Sequence, residues 1–558
     1  MEKLTRALLN SGFEWRPGLE VGTKMALPEQ VMQFGEGNFL RAFVDYMIDV
    51  INGEGYYDGG IVVVQPIAQG MVSMLNDQDG LYTLFARGLE DGKPVVQKRL
   101  VTSITRGVNP YAEYETYLEC VKNPDLRFVV SNTTEAGIVF DPEARLEDKP
   151  QNSFPGKVTA LLYERFRTFG GAKDKGLVFI PCELIDYNGT TLRDIVLRHA
   201  QQWGLGEDFI TFVKEANVFT NTLVDRIVTG YPRDEAAQLC AELGYRDDLL
   251  DTSEIFHFWV IEGPPSLSSE LPFDKAGLSV VWTGDATPYK MRKVRILNGA
   301  HTMSVLGAYL AGHDTVLEML EDGDFGAYLR RGLFDEVIPT LDLDYDDLKS
   351  FAEAVFDRFA NPHIKHYLLS IALNSVSKYK ARVLPSVLEY QKRKGESPKL
   401  LAYSFAALCA FYRGDEIRDG ALIGRRGAGA WGANRTLGTG GGVGGGEAGH
   451  GGKDGNDGNV GKDGKETLGA GGAAAAGKTG GEYRIQDDGA VLEYFRDAYE
   501  GFDGSEEAAY ALVRKVAANQ AFWGVDLNTI GDFTRRSGAI FHDIITIGAK
   551  EALRGVLV

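Results

Sequence analysis

Three side chains of unlike chemistry lie close together in the stretch "YKMRKVRILNGAH", Tyr289 to His301: Lys293, Asn298 and His301. A lysine held away from water has its proton affinity lowered toward neutrality and can exchange a proton with a substrate oxygen. An asparagine amide stabilises a developing oxyanion without titrating. A histidine can hold the substrate oxygen or orient the lysine. Together these groups equip a carbonyl–alcohol interconversion by hydride transfer that needs no metal. At about 100° per residue, a helix sets Asn298 about 140° and His301 about 80° from Lys293, so all three can point toward one cleft. Taken singly, each has a plainer reading: a solvated lysine, a helix-capping asparagine, a satisfied core histidine.

A second signal lies near the N-terminus. In "VMQFGEGNFLRAF", Gly35-Glu36-Gly37 follows a predicted strand and precedes a predicted helix. Gly35 would permit a tight turn, and Gly37 would let the backbone approach a pyrophosphate at the helix start. Leu40 stands where the dinucleotide fingerprint has its third glycine, so a plain strand–helix turn stays open. The next strand ends in Gln65, where the fingerprint expects an acid for the ribose.

The elements that must position these residues fall into two groups. "VMQF", "GIVVV", "LRFVVS" and "GLVFIP" are short apolar runs suited to strands buried on both faces of a parallel sheet, and helical stretches follow the first two. Between the second and third runs, "LYTLFARGLEDGKPVVQKRLVTSITRG" alternates around Asp91-Gly92, which predicts a β-ribbon. From about Pro288 long helical patterns dominate, among them "HYLLSIALNSVSKYKARVLPSVLEYQKRK". The expectation is therefore an α/β fold: a Rossmann-like dinucleotide-binding domain over residues 1–285, then a mostly α-helical substrate and catalytic domain over 286–558. Glycine makes up nearly half of the segment at about 427–481, a composition that cannot offset the entropy of ordering its backbone, so it reads as a flexible insertion.

Composition narrows the classes. A formal charge of −19 argues against a general nucleic-acid binder. The four cysteines form no C-x-x-C pair, and the cysteines and histidines do not cluster, so no metal site is expected. Scattered thiols, no signal-like N-terminus and no long apolar run predict a cytoplasmic protein with no membrane span.

The K-x4-N-x2-H spacing of Lys293, Asn298 and His301 resembles the signature of the polyol-specific long-chain dehydrogenases, the mannitol dehydrogenase family. "QFGEGNFLRAF" resembles that family's cofactor turn and "SNTTEAGI" its loop after a Rossmann strand. "PCELIDYNGTTLRDIV" and "LVDRIV" resemble two further family segments. The resemblance covers nearly the whole chain apart from the glycine-rich segment. It implies NAD as cofactor, held by Gly35, Glu36, Gly37, Asn38, Phe39, Leu40 and Arg41 and by Asn132, Thr133 and Glu135, with Asp225 near the nicotinamide. It implies Lys293 as general acid/base, Asn298 and, by spacing, Asn188 as oxyanion donors, and His301 beside them.

"IALNSVSKYKARVLP" resembles a family helix lining the substrate pocket, with Ser370 where polyol dehydrogenases carry an arginine. Lys378, Lys380 and Arg382 then become candidates for a substrate carboxylate, against the plainer reading of a solvated basic face. The wording of "QFGEGNFLRAFVD", "PCELIDYNG", "WVIEGP" and "KVRILNGAHT" looks most like the tagaturonate-reducing branch. That branch implies a small uronate or aldonate substrate and reversible interconversion of D-tagaturonate and D-altronate in hexuronate breakdown. Fructuronate reductases and mannitol-type enzymes share the Lys–Asn–His set and are the nearest alternatives. A catalytically silent dinucleotide-binding regulator is disfavoured because that set is intact.

Overall fold

The computed structural model describes residues 1–23, 26–90, 92–133, 137–426 and 481–558. The chain forms two compact units. The first is Met1–Val294 with Leu343–Lys365, and the second is Arg295–Asp342 with His366–Val558.

The first unit is built on a six-stranded, all-parallel sheet. In spatial order its strands are Ile104–Val108, Gly60–Val64, Glu29–Phe34, Phe128–Ser131, Val178–Pro181 and Val218–Phe219. Numbered by sequence this is 3-2-1-4-5-6, the doubly wound order in which strand direction of travel reverses beside the first strand. Alternate residues feed two cores. Val31, Val63, Phe128 and Ile180 pack on one face, and Met32, Phe34, Val62 and Phe179 on the other. This two-sided burial is why the strands read as continuous apolar runs.

The β-ribbon also forms: Tyr82–Glu90 pairs antiparallel with Lys93–Val101, with Gly92 at φ +72. Its tail departs from expectation, because "ITRGV", Ile104–Val108, leaves the ribbon and becomes the third parallel strand. On the ribbon's other edge Asp251–Glu254 pairs parallel with Tyr82–Glu90. A separate sheet joins Asn221–Asp225, Phe258–Glu262 and Val280–Thr283.

The helix Tyr345–Phe359 belongs to this first unit, although sequence places it in the helical half. Asp344 caps its start by accepting from the Asp347 N–H. Leu348, Phe351, Ala352, Val355 and Phe359 form a buried stripe at helical spacing. The stripe side packs against the ribbon strand Tyr82–Glu90.

The second unit is mostly helical. Its centre is Lys399–Phe411, buried from Leu400 onward, against which Gly299–Ala311 and Phe533–Thr546 pack. An antiparallel sheet of Gly414–Arg418, Ala421–Arg425 and Glu482–Ile485 completes it. The long helix expected over His366–Lys394 is broken into Leu368–Ile371, Ser375–Arg382 and Leu384–Lys394. Asn374 takes a left-handed conformation at φ +53, and Pro385 has no N–H with which to continue the preceding helix.

Candidate active site

Gly35-Glu36-Gly37 lies at the reversal of strand order, where open α/β sheets take ligands. Gly35 has φ +124, and a Cβ on it would lie 3.1 Å from the Asn132 carbonyl oxygen. The loops on either side of the reversal thus approach closely, and the positive φ favours glycine there. Gly37 is different. Its φ is −67 and a Cβ there would meet no protein atom within 4 Å. Among the described residues nothing demands glycine at 37, but a bare backbone before a helix start suits a close-lying diphosphate.

The neighbouring loop is set by a residue that sequence reading missed. Glu183 is buried and accepts from the Thr133 N–H and hydroxyl, both at 2.9 Å, and from the Ser131 hydroxyl at 3.1 Å. Burial pushes its carboxyl up, and these donors oppose that. The Asn132 amide donates to the Cys182 carbonyl at 2.9 Å. Glu135 lies outside the described residues.

The acid missing from the end of Gly60–Val64 is supplied by the turn itself. The Glu36 carboxylate sits beside Gln65 and Gly70 and accepts from the Met71 N–H at 3.0 Å. Its other oxygen, Oε2, is buried without a hydrogen-bond partner among the described residues, and burial raises the carboxyl's proton affinity. Gln65 spends its amide on the Ile67 and Ala68 carbonyls. An orphaned buried carboxylate oxygen and an open glycine backbone on one turn fit a dinucleotide with a free ribose hydroxyl.

Two of the expected cofactor contacts, Leu40 and Arg41, are fully buried in the fold. Leu40 is core and lies under Gly35. Phe39 stacks on Phe43 at 5.1 Å, half-buried. Arg41 is fully buried, so it cannot face a phosphate. Its guanidinium donates to the Leu249 and Glu36 carbonyls and to the Asn38 side chain, and it pairs with Asp251 at 3.7 Å. Asn38 is thereby held by Arg41 from beneath.

Lys293 begins a π-helical turn, Lys293–Asn298, between the helices Thr287–Arg292 and Gly299–Ala311. Such turns recur at functional sites, and their i→i+5 bonding brings residues five apart toward one face. The side chain is 17% exposed. Its ammonium donates to the Val224 carbonyl at 2.9 Å and stands 3.7 Å from an Asp225 oxygen. Burial lowers its proton affinity; Asp225 opposes this and Arg358 adds to it.

Asp225, expected near the nicotinamide, has both its oxygens taken by Arg358, at 3.0 and 3.2 Å, and the same guanidinium holds Glu254 at 2.9 Å twice. Asn188 was expected to polarise a carbonyl. It is 0% exposed. Its amide donates to the Pro181 and Glu183 carbonyls and to Thr222, while its oxygen accepts from the Gly189 and Thr222 N–H groups. With every donor engaged, Asn188 pins the start of the helix Asn188–Gln202 rather than presenting an amide to a ligand.

In the second unit Asn298 and His301 are half-buried, and the His301 ring meets His366 edge-on at 5.0 Å. The basic trio divides. Lys378 and Arg382, four apart, share a face of Ser375–Arg382. Arg382 reaches the Thr302 hydroxyl at 3.5 Å, and Lys378 donates to the Ile371 carbonyl at 2.9 Å. Burial lowers the proton affinity of both. Lys380 points elsewhere, exposed, with its ammonium near Gly524.

Among the described residues no group of three or more His, Cys, Asp and Glu could hold a metal ion, and no helix is long and apolar enough to cross a membrane.

Comparison with known proteins bears on both units. Residues 29–275 match the mannitol dehydrogenase Rossmann domain and residues 285–423 the mannitol dehydrogenase C-terminal domain. The chain is 54% identical to altronate oxidoreductase of Shigella flexneri over 389 residues, covering 70% of this chain and 80% of that one. The corresponding identity to altronate oxidoreductase of Enterobacter sp. (strain 638) is 53% over the same length and shares. Among solved structures, substrate-free D-sorbitol dehydrogenase is similar at a TM-score of 0.74 and 21% identity, over 99% of this chain and 100% of that one. Pseudomonas fluorescens mannitol 2-dehydrogenase, in ternary complex with NAD and D-mannitol, is similar at 0.61 and 20%, over 100% and 99%. These two likenesses concern the fold. With both family domains matched in order and over most of its length, the chain belongs to the mannitol dehydrogenase family.

Proposed function

We propose that this enzyme interconverts D-tagaturonate and D-altronate with NAD. The observation that carries the reaction class is Lys293, a largely desolvated ammonium steadied by the Val224 carbonyl and facing Asp225. The identity to altronate oxidoreductases supports the substrate. When bound, the nicotinamide supplies or accepts the hydride. Gly35, Glu36, Gly37, Asn38, Asn132 and Thr133 are the residues that would hold the cofactor.

In the oxidation Lys293 takes the proton from the reacting hydroxyl; in the reduction it returns that proton to the same oxygen. A lysine whose proton affinity burial has lowered gives up and takes back a proton more readily than a solvated one. The Asn298 amide donates to the oxygen as charge develops on it, and His301 holds it in line. Asn188 acts at one remove, fixing the loop after Val178–Pro181. Lys378 and Arg382 take the carboxylate, a planar anion that suits a guanidinium fork. An acidic chain with four buried free thiols suits a cytoplasmic enzyme acting on a small sugar acid rather than on nucleic acid.

The test is a panel of tagaturonate, fructuronate, fructose and mannitol followed by NADH absorbance. Tagaturonate reduction should dominate. Higher kcat/KM on fructuronate or mannitol would reassign the substrate.

A further inference from the structure

Four charges stand in a row in the first unit: Lys293, Asp225, Arg358 and Glu254. They come from four different elements. Asp225 ends the strand Asn221–Asp225, Glu254 ends Asp251–Glu254, and Arg358 lies in the last turn of Tyr345–Phe359. The contacts are unequal. Arg358 makes two hydrogen bonds to each carboxylate, at 2.9–3.2 Å. Lys293 keeps 3.7 Å from Asp225 and gives its hydrogen bond to a backbone carbonyl instead. Arg358 is also braced by the Phe256 ring, 4.2 Å from its guanidinium carbon. Glu254 is braced by the Ile227 N–H at 2.6 Å and, through its own carbonyl, by Arg226. The fork is therefore rigid, and the lysine is its loosest member.

We propose that Arg358 is a positioning residue for Lys293: by occupying both oxygens of Asp225 it keeps that carboxylate from closing on the ammonium, and so leaves Lys293 free to part with its proton. The proposal rests on the role given to Lys293 above. An Asp225 without Arg358 would swing to the Lys293 ammonium and hold it charged. The charged groups facing Lys293 are Asp225, Glu254 and Arg358, and they act in opposite senses. Removing Arg358 should bind the lysine's proton more tightly. Removing the charge of Glu254 leaves Arg358 wholly to Asp225 and should loosen it.

The experiment reads Lys293 directly. Full-length, cofactor-free protein is acetylated with limiting acetic anhydride across a pH series, and the Lys293 peptide is quantified by mass spectrometry. The pH dependence of altronate oxidation is measured alongside. Arg358→Met should raise the acetylation midpoint by about one pH unit or more, about a tenfold change in proton affinity. Arg358→Lys, which restores charge without the fork, should fall between Arg358→Met and wild type. Glu254→Gln should move the midpoint down. Shifts of opposite sign cannot come from a general loosening of the fold. Unchanged midpoints, or shifts of the same sign in both variants, would overturn the proposal. If Arg358→Met fails to fold, Glu254→Gln decides alone, and a midpoint that stays or rises overturns it. Should the acetylation midpoints move as expected while Lys293→Ala keeps its turnover, the catalytic reading fails and the positioning of Lys293 stands.

Discussion

Lys293 is useful as a proton carrier only while it can lose its proton, and burial works in that direction. Lys293→Ala should therefore cost about 10²–10⁴-fold in turnover, the usual worth of general acid–base catalysis, with NADH binding by fluorescence titration nearly unchanged. A variant keeping half the wild-type rate would remove the lysine from the chemistry. The carboxylate contact is a second matter of single residues. Tagaturonate should be preferred over tagatose by about 10³-fold in kcat/KM; Arg382→Met and Lys378→Met should each reduce that ratio, whereas Lys380→Met should leave it intact, because Lys380 lies on another face. Equal ratios in all three variants would exclude this helix from carboxylate binding. Glu36 makes a third case. Its unpartnered buried oxygen can accept from a ribose hydroxyl and repels a phosphate in the same place. Glu36→Ser should narrow the NADH-over-NADPH affinity gap by about tenfold or more, read as dissociation constants. Unaltered constants would move coenzyme choice elsewhere. Residue types were legible in the sequence here, since lysine, asparagine and histidine at that spacing suggest the chemistry. Their partners were not. Arg358 meets Asp225 across 133 positions, and no periodicity links the two. The same blindness made Arg41 look like a cofactor contact when its charge is used inside the fold.

Elements were readable where burial is two-sided. Glu29–Phe34 and Gly60–Val64 show as apolar runs because both faces pack. Ile104–Val108 was missed as a sheet strand because Thr105 and Arg106 interrupt its apolar pattern, and it lies at the sheet edge, where one side is open to polar groups. Asn374 and Pro385 mark breaks that an apolar period alone does not register. The described residues on either side of the glycine-rich segment bear directly on its removal. Arg425 pairs with Glu482, and the Arg426 N–H donates to the Gly481 carbonyl at 3.2 Å. Linking Arg426 to Gly481 through Asn-Gly supplies the tight turn such a pair needs. That deletion should change unfolding free energy by no more than about 1 kcal/mol, since loop closure depends only weakly on length. Aggregation or lost activity on deletion would mean that the segment has a binding role.

At the scale of the whole molecule, buried acids set the response to pH. Burial pushes the Asp45 carboxyl up to about 8 and the Asp251 carboxyl up to about 7, against an ordinary 3.8. Each holds a proton in the folded state that the unfolded chain releases. Their contribution is complete below the unfolded value, near 3.8, and is lost as pH rises through about 7 to 8. Asp45→Asn, which cannot ionise, should gain on wild type by more than about 1 kcal/mol as the buffer goes from about pH 5 to about pH 8, read by thermal unfolding. A constant difference would mean that Asp45 is ionised in the fold. The first unit is discontinuous: Leu343–Lys365 returns to it after Arg295–Asp342 has gone to the second. A ribosome delivers residues in order, so a nascent chain that has reached Val294 has Asp225 and Glu254 but no Arg358 to sit between them. Those two carboxylates must stay hydrated until residue 358 emerges. The first unit therefore cannot finish folding as an independent N-terminal domain, and its completion falls late in synthesis, after a stretch of the other unit is already outside the ribosome.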